Sequence, residues 1–234
     1  MKHVLLAEHA AHRATGFLQS HKELQPDCTL TVWQCYQYPH PPDGSYDGLI
    51  LSGGPMMVDA LQKGEHPFFA AESNLIQQMA RNNSPILGVC LGSQILCALF
   101  GGEVGPKQWV VGWHAIHSTL IGQADPLFKG VPRTFCSFQY HRDHFLRLPL
   151  GAEVLGTSAS TEFEAFRCAE GRRIWGCVFH PEMDVHHLME LFDLQPDLFM
   201  RHNLSRTDLA PFRDGRQARR TILKNFFSIV AQNN

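Results

Sequence analysis

Short apolar runs alternate with segments of helical spacing along the first part of the chain. Val4–Ala7 predicts a first strand, and the alternation from Leu30–Val32 onward to Cys35 predicts a second. A Pro/Gly loop covers Tyr38–Tyr46. Asp47 then leads into Gly48-Leu49-Ile50-Leu51, which stops at Ser52-Gly53-Gly54-Pro55, the pattern of a buried parallel strand. In residues 67–82 the apolar positions Phe68, Phe69, Leu75, Ile76, Met79 and Ala80 have helical spacing, with Pro67 suited to the helix start. Pro85–Val89 reads as the next buried strand, and Leu91 to Phe100 as a helix stopped by Gly101-Gly102. Strand–helix alternation of this kind predicts an α/β fold with a mostly parallel sheet.

The pattern changes over residues 104–180. Strand-like segments are expected around 110–121, 134–140, 153–157, 163–168 and 173–179. They read as a β-rich insertion in the same domain, because chemically loaded motifs lie on either side of them. Residues 185–234 read as an amphipathic helical extension closed by a helix from Arg216 to Ile229. The expectation is thus one domain over 1–234.

Composition narrows the function class. With 44% apolar and 18% charged residues the chain is an ordinary globular protein, and a net charge of −2 gives no basic footprint for nucleic acid. The longest apolar stretch, Ile86 to Phe100, is too short to span a bilayer, and Val4–Ala7 is too short for a signal-peptide core. The 7 cysteines are odd in number and form no C-x-x-C pair, which favours reduced thiols and a cytoplasmic setting. The 14 histidines raise the question of a metal. His114 and His117 are expected to flank a strand, His141 and His144 to lie at a loop, and His186 and His187 to begin a helix. None of these pairs, with Cys136 or Cys168 as thiolates, makes a recognisable ligand pattern, so neither metal nor cofactor is expected.

The chemistry concentrates in two motifs. In Gly88-Val89-Cys90-Leu91-Gly92, a thiol sits on a tight strand-to-helix turn whose flanking glycines relieve Cβ clashes. The helix that begins at Leu91 aims its N-terminal dipole at the sulfur and favours thiolate. Cys97, by contrast, reads as a buried structural cysteine. In His180-Pro181-Glu182, which follows the apolar run Cys177-Val178-Phe179, an imidazole has a carboxylate close enough to orient it. Cys90, His180 and Glu182 are therefore the candidate nucleophile, base and orienting group of a Cys-dependent acyl-transfer enzyme. Ser52-Gly53-Gly54-Pro55 ends a neighbouring strand, and its glycines let backbone N–H groups approach a substrate. With the N–H of Leu91, a glycine N–H in this turn would bind the oxyanion of a tetrahedral intermediate.

These motifs, with Asp47–Pro55, Pro85–Gln94 and Gly176–Glu182 in order and with further agreement at Gly112-Trp113, His141-Arg142-Asp143 and Leu148–Ala152, resemble the class I (triad) glutamine amidotransferases. Within that family the chain looks most like stand-alone proteins labelled GMP-synthase-like. The resemblance implies a flavodoxin-like three-layer sandwich with a mostly parallel central sheet. It implies that Cys90 attacks the side-chain amide of glutamine or another γ-glutamyl compound, that Gly54 is the oxyanion-hole glycine, and that Gln94, with Gly53, contacts the substrate. Three departures from the family pattern are Val178 before the Phe of the His motif, Glu164 before Ala165-Phe166, and Arg142 between the middle His and Asp. A carboxylate or guanidinium at the mouth would change which amines or acyl groups enter.

Three functions compete: a self-sufficient hydrolase of a small γ-glutamyl compound, a glutaminase subunit feeding ammonia to a separate synthetase partner, and a regulatory binding module on the same fold. The intact Cys90, His180 and Glu182 argue against the last. γ-Glutamyl hydrolases of folate conjugates share the fold but are often secreted or vacuolar. Intracellular-protease-like proteins place their histidine soon after the nucleophile, whereas here none follows Cys90 until His114.

Overall fold

A computed structural model describes residues 1–168, 172–210 and 215–232. The elements run β1 (Lys2–Glu8), α1 (Thr15–Leu24), β2 (Cys28–Gln34), β3 (Gly48–Leu51), α2 (Val58–Gln62), α3 (Phe69–Arg81), β4 (Ile86–Val89) and α4 (Leu91–Leu99). They continue with β5 (Glu103–Ser118), α5 (Leu120–Ala124), β6 (Thr134–Arg147), β7 (Glu153–Thr157), β8 (Ala165–Arg167) and β9 (Ile174–Cys177). The chain closes with α6 (Val185–Leu194), α7 (Pro196–Met200) and α8 (Arg216–Ala231).

Nine strands form one sheet in the order β2-β1-β3-β4-β9-β8-β7-β5-β6. The first five are parallel, and they follow the 2-1-3-4-5 order of doubly wound flavodoxin-like folds. The remaining four join antiparallel, and they are the insertion between the two chemical motifs.

Side chains divide between the sheet faces with the two-residue period of a strand. Val4, Leu6, Ile50, Leu87 and Val89 pack with Phe17 of α1 and with Ile222, Phe226 and Phe227 of α8. Leu5, Ala7, Leu49, Leu51 and Ile86 face Ile76 and Met79 of α3 and Ile95 and Leu96 of α4. Both faces are covered, so the layers are helix, sheet, helix; each fully buried aliphatic side chain is worth about 2 kcal/mol. A third cluster joins Phe138 of β6 to Met183, Leu188, Leu191, Phe199 and Leu209, which seats the C-terminal helices on the end of the insertion.

Several expectations need correction. The helix expected over 67–82 starts at Phe69, and Pro67 lies in the preceding turn. Residues 120–121 open α5 rather than end a strand, because the Thr119 hydroxyl accepts from the Gly122 N–H at 2.9 Å and caps a helix there. His141 and His144 are inside β6, not at a loop, and His114 and His117 are inside β5 rather than flanking it. The helix α1 carries little apolar periodicity, burying only Gly16 and Phe17, and the hydrophobic pattern does not announce it.

Candidate active site

The topology brings the two motifs together. β4 and β9 are neighbours in parallel register, Val89 opposite Cys177, so the residues that follow each strand leave the sheet side by side at its carboxyl edge. The Cys90 N–H extends the ladder by bonding the Cys177 carbonyl at 2.8 Å. Cys90 itself has φ 50° and ψ −111°, a left-handed conformation that turns the chain from β4 into α4 and lifts the thiol out of the turn. The turn closes only with glycine at position 92: a Cβ there would lie 2.3 Å from the Leu51 carbonyl oxygen.

His180 is held at three points. Its N–H bonds the Phe138 carbonyl at 2.9 Å, its carbonyl accepts from the Ser137 hydroxyl at 3.1 Å, and its Nδ1 meets Glu182 Oε1 at 2.6 Å. The central part of β6 thus clamps the backbone of His180 while Glu182 fixes the ring. Nε2 is left for Cys90, and interaction with that thiol favours the charged ring. Burial works against a charged imidazole here, but the Glu182 carboxylate and the interaction with Cys90 outweigh it and raise the His180 pKa to about 10. An imidazole tied to a carboxylate on one nitrogen, with the other left for a neighbouring thiol, can take a proton from sulfur and hand it to a leaving group.

The glycine turn after β3 lies against this pair. A Cβ on Gly53 would stand 3.0 Å from His180 Cε1 and 3.4 Å from Cys90 Cβ, so the backbone passes directly over both. Gly92 N–H bonds the Ser52 carbonyl at 3.1 Å and couples the turn to the start of α4. Among the described residues the N–H groups of Gly54 and Leu91 have no backbone acceptor. Gly54, Cys90 and Gln94 line one cavity of about 220 Å³ with Trp109, Arg142 and Asp143. Gln94 donates to the Asp143 carbonyl at 2.9 Å, which ties α4 to β6 across the floor.

Of the three departures from the family pattern, only Arg142 lies at the mouth, where it reaches Asp143 and the Met57 sulfur. Glu164 is fully buried, contrary to the expectation of a charge at the mouth. It accepts from the Gln139 amide at 2.9 Å, and burial pushes its carboxyl up to about 7. Gln139 in turn bonds His141 at 2.7 Å, and burial drives that imidazole down to about 3. Val178 is buried and gives its N–H to the Glu164 carbonyl at 2.9 Å. Cys97 is buried as expected, its thiol pushed up to about 12 by burial.

Three residues beside the site were not singled out from sequence. Tyr140 presents its carbonyl to the Cys90 thiol at 3.7 Å and lines cavities on both sides of it. Arg13, in the turn after β1, lines a second cavity that also reaches Cys90. His9, at the end of β1, bonds the Ser52 carbonyl through Nδ1 at 2.8 Å and Glu72 through Nε2 at 2.7 Å. The His9 N–H bonds the Ser52 hydroxyl, which donates to the Gly53 carbonyl at 2.9 Å, so this buried pair braces the glycine turn from behind. Cys35 completes a group whose ligand atoms lie within 4.8 Å of one another, but both His9 nitrogens already serve the hydrogen bonds just named. No local motif marks these three; each acts across a gap in sequence that only the sheet closes.

Comparison with known proteins places the chain in a family. The profile of the family Glutamine amidotransferase class-I matches residues 17–191. A glutamine-hydrolyzing GMP synthase subunit from Methanococcus aeolicus is 30% identical over 175 residues, 75% of this chain and 82% of that protein. The subunit of the same name from Methanothermobacter thermautotrophicus is 30% identical over 182 residues, 78% of this chain and 85% of its own. A glutamine amidotransferase structure from Thermotoga maritima superposes with a TM-score of 0.85 at 22% identity, covering 99% of this chain and 98% of that one.

Proposed function

Because the chain belongs to the class I glutamine amidotransferases, we propose that it hydrolyses the γ-amide of glutamine or of another γ-glutamyl compound with Cys90 as nucleophile. The observation that carries this reading is the left-handed Cys90 turn beside His180, whose Nδ1 is fixed by Glu182 at 2.6 Å.

The steps follow from the positions of the groups. The Cys90 thiolate attacks the γ-carbonyl carbon. Negative charge moves onto the carbonyl oxygen, where the N–H groups of Gly54 and Leu91 receive it; one such donor is typically worth about a hundredfold or more in rate. The tetrahedral intermediate collapses as the C–N bond breaks, and protonated His180 supplies the proton that the leaving nitrogen needs. Water, deprotonated by the now neutral His180, then hydrolyses the γ-glutamyl thioester and frees glutamate and Cys90. Glu182 keeps the ring in one orientation and balances its charge throughout. Gln94, Gly53 and the neighbouring cavity are assigned to the glutamyl moiety.

Ammonia release from glutamine, with a panel of γ-glutamyl amides read by amine detection, tests the proposal against a Cys90→Ala control. Turnover that vanishes in the control supports it; turnover that survives the substitution overturns it. A second reading, a glutaminase subunit serving a separate synthetase, is favoured by the names of the two curated relatives, both of them subunits. It predicts little turnover in isolation, with Cys90 still alkylated by a glutamine-mimicking electrophile.

A further inference from the structure

Two cavities meet at Cys90. Both are walled by Gly54, Pro55 and Tyr140, but Gln94 and Asp143 line only the first, and His180 and Arg13 only the second. The two sides of the thiol are therefore chemically different. His180 must protonate the nitrogen that departs, so the departing amine occupies the side on which His180 lies. That second cavity, about 60 Å³, is otherwise apolar, with Phe138, Leu198 and Phe199 in its wall.

A chamber meant only to pass ammonia has no use for a fixed cation. Yet Arg13 lines it, and the guanidinium Nε is buried without a hydrogen-bond partner. Burial works against the charge, and the groups that face it and favour it are Cys90, Glu182, Tyr140 and Glu8. Glu8 accepts from the Ala14 N–H and Glu182 gives one oxygen to His180, and among the described residues neither carboxylate forms an ion pair with Arg13. A planar guanidinium with open donors is built to take a carboxylate.

Resting on the Cys90 hydrolase reading, we infer that Arg13 reads a carboxylate on the leaving amine, so that the preferred substrates are γ-glutamyl amino acids or peptides rather than glutamine itself. The reaction is balanced by water alone: the γ-glutamyl C–N bond breaks, the nitrogen takes a proton from His180, and hydrolysis of the thioester yields glutamate and the free amino acid or peptide.

The test compares kcat/KM for γ-glutamyl-alanine and γ-glutamyl-alaninamide, which differ in shape by little and in charge by the carboxylate. The wild-type chain is expected to favour the acid by about ten- to a hundredfold, the worth of a charged hydrogen bond. Arg13→Met is expected to erase that ratio and Arg13→Lys to restore part of it. Labelling of Cys90 by a glutamine-mimicking electrophile reports that each variant retains an assembled site. A wild-type ratio near one overturns the inference. So does an Arg13→Met variant that loses both substrates in equal proportion, which would mean that Arg13 acts through Glu182 or Cys90. Ammonia release from glutamine with hydrolysis of neither alanine compound overturns it as well, whereas failure on all three substrates, with Cys90 unlabelled, would instead defeat the underlying Cys90 reading.

Discussion

Two buried histidine–carboxylate pairs stand at the carboxyl edge of the same sheet, and they do different work. In one, His180 meets Glu182 at 2.6 Å; in the other, His9 meets Glu72 at 2.7 Å. Composition, burial and distance barely separate them. The difference is which ring nitrogen the carboxylate takes. Glu182 holds Nδ1 and leaves Nε2 to the Cys90 thiol, at the junction of two cavities. Glu72 holds Nε2 while the Ser52 carbonyl takes Nδ1, so His9 has no nitrogen to offer a substrate. In the proposed reaction the first pair moves protons, whereas the second holds a glycine turn in place. A buried imidazole–carboxylate pair therefore becomes a functional candidate only when one nitrogen still faces a reacting atom.

Substitutions at the two pairs are expected to separate activity from stability. The largest effect falls on His180→Asn, which removes the proton carrier: kcat/KM is expected to drop by about 10⁴-fold or more. Its cost in stability is expected to be smaller, because Glu182 lines a cavity that water can enter once the ring is gone. Steady-state kinetics beside thermal unfolding checks both halves. Glu182→Gln keeps the shape and removes the charge, with an expected loss of about 10³-fold or more. Since Glu182 helps to hold the His180 pKa near 10, the alkaline limb of the pH–rate profile is expected to shift toward lower pH in this variant. An unmoved limb would show that the carboxylate does not set the charge on His180.

His9→Ala should invert the balance. It strands the Glu72 carboxylate in a sealed site and removes the brace behind Gly53, so urea unfolding is expected to show a loss of about 3–5 kcal/mol. Activity is expected to fall less than in His180→Asn, and equality of the two losses would erase the distinction drawn between the pairs.

Glu164 sharpens the contrast as a buried carboxylate paired with neutral groups, the Gln139 amide among them. Its pKa in the folded chain is about 7, above the ordinary 4.5. The folded state thus keeps a proton that the unfolded chain gives up, and stability falls as pH rises between those two values. Glu164→Gln removes that loss, and the gain relative to wild type is expected to grow from near zero at pH 4.5 to on the order of 3 kcal/mol above pH 7. A gain independent of pH would mean that the carboxyl titrates normally.

The same two pairs show what a single sequence discloses. His180 and Glu182 are readable because the chemistry sits within one short motif, and the Cys90 turn because its geometry demands nearby glycines. The strand–helix alternation likewise announces the parallel half of the sheet. His9 and Glu72 are 63 positions apart, joined only by the β1–β3 neighbourhood and the packing of α3, and nothing local marks either as partnered. Arg13 is hidden for the same reason: it follows a strand whose position beside the site is a property of sheet order. The histidines of β6 mislead in the opposite sense. His141, Arg142, Asp143 and His144 look like a polar loop, but pairing with β5 makes them a strand, with His141 bonded to Gln139 and His144 to the Gln108 carbonyl.

The central claim is that Cys90 carries the γ-glutamyl group during turnover. Rapid mixing with a γ-glutamyl substrate, acid quench and peptide mass mapping tests it most directly, because the chain holds seven cysteines, any of which the adduct could mark. The account predicts a γ-glutamyl thioester on Cys90, absent from the other six and accumulating in a variant slowed at deacylation. Product formation without an adduct, or an adduct on any other cysteine, would contradict it.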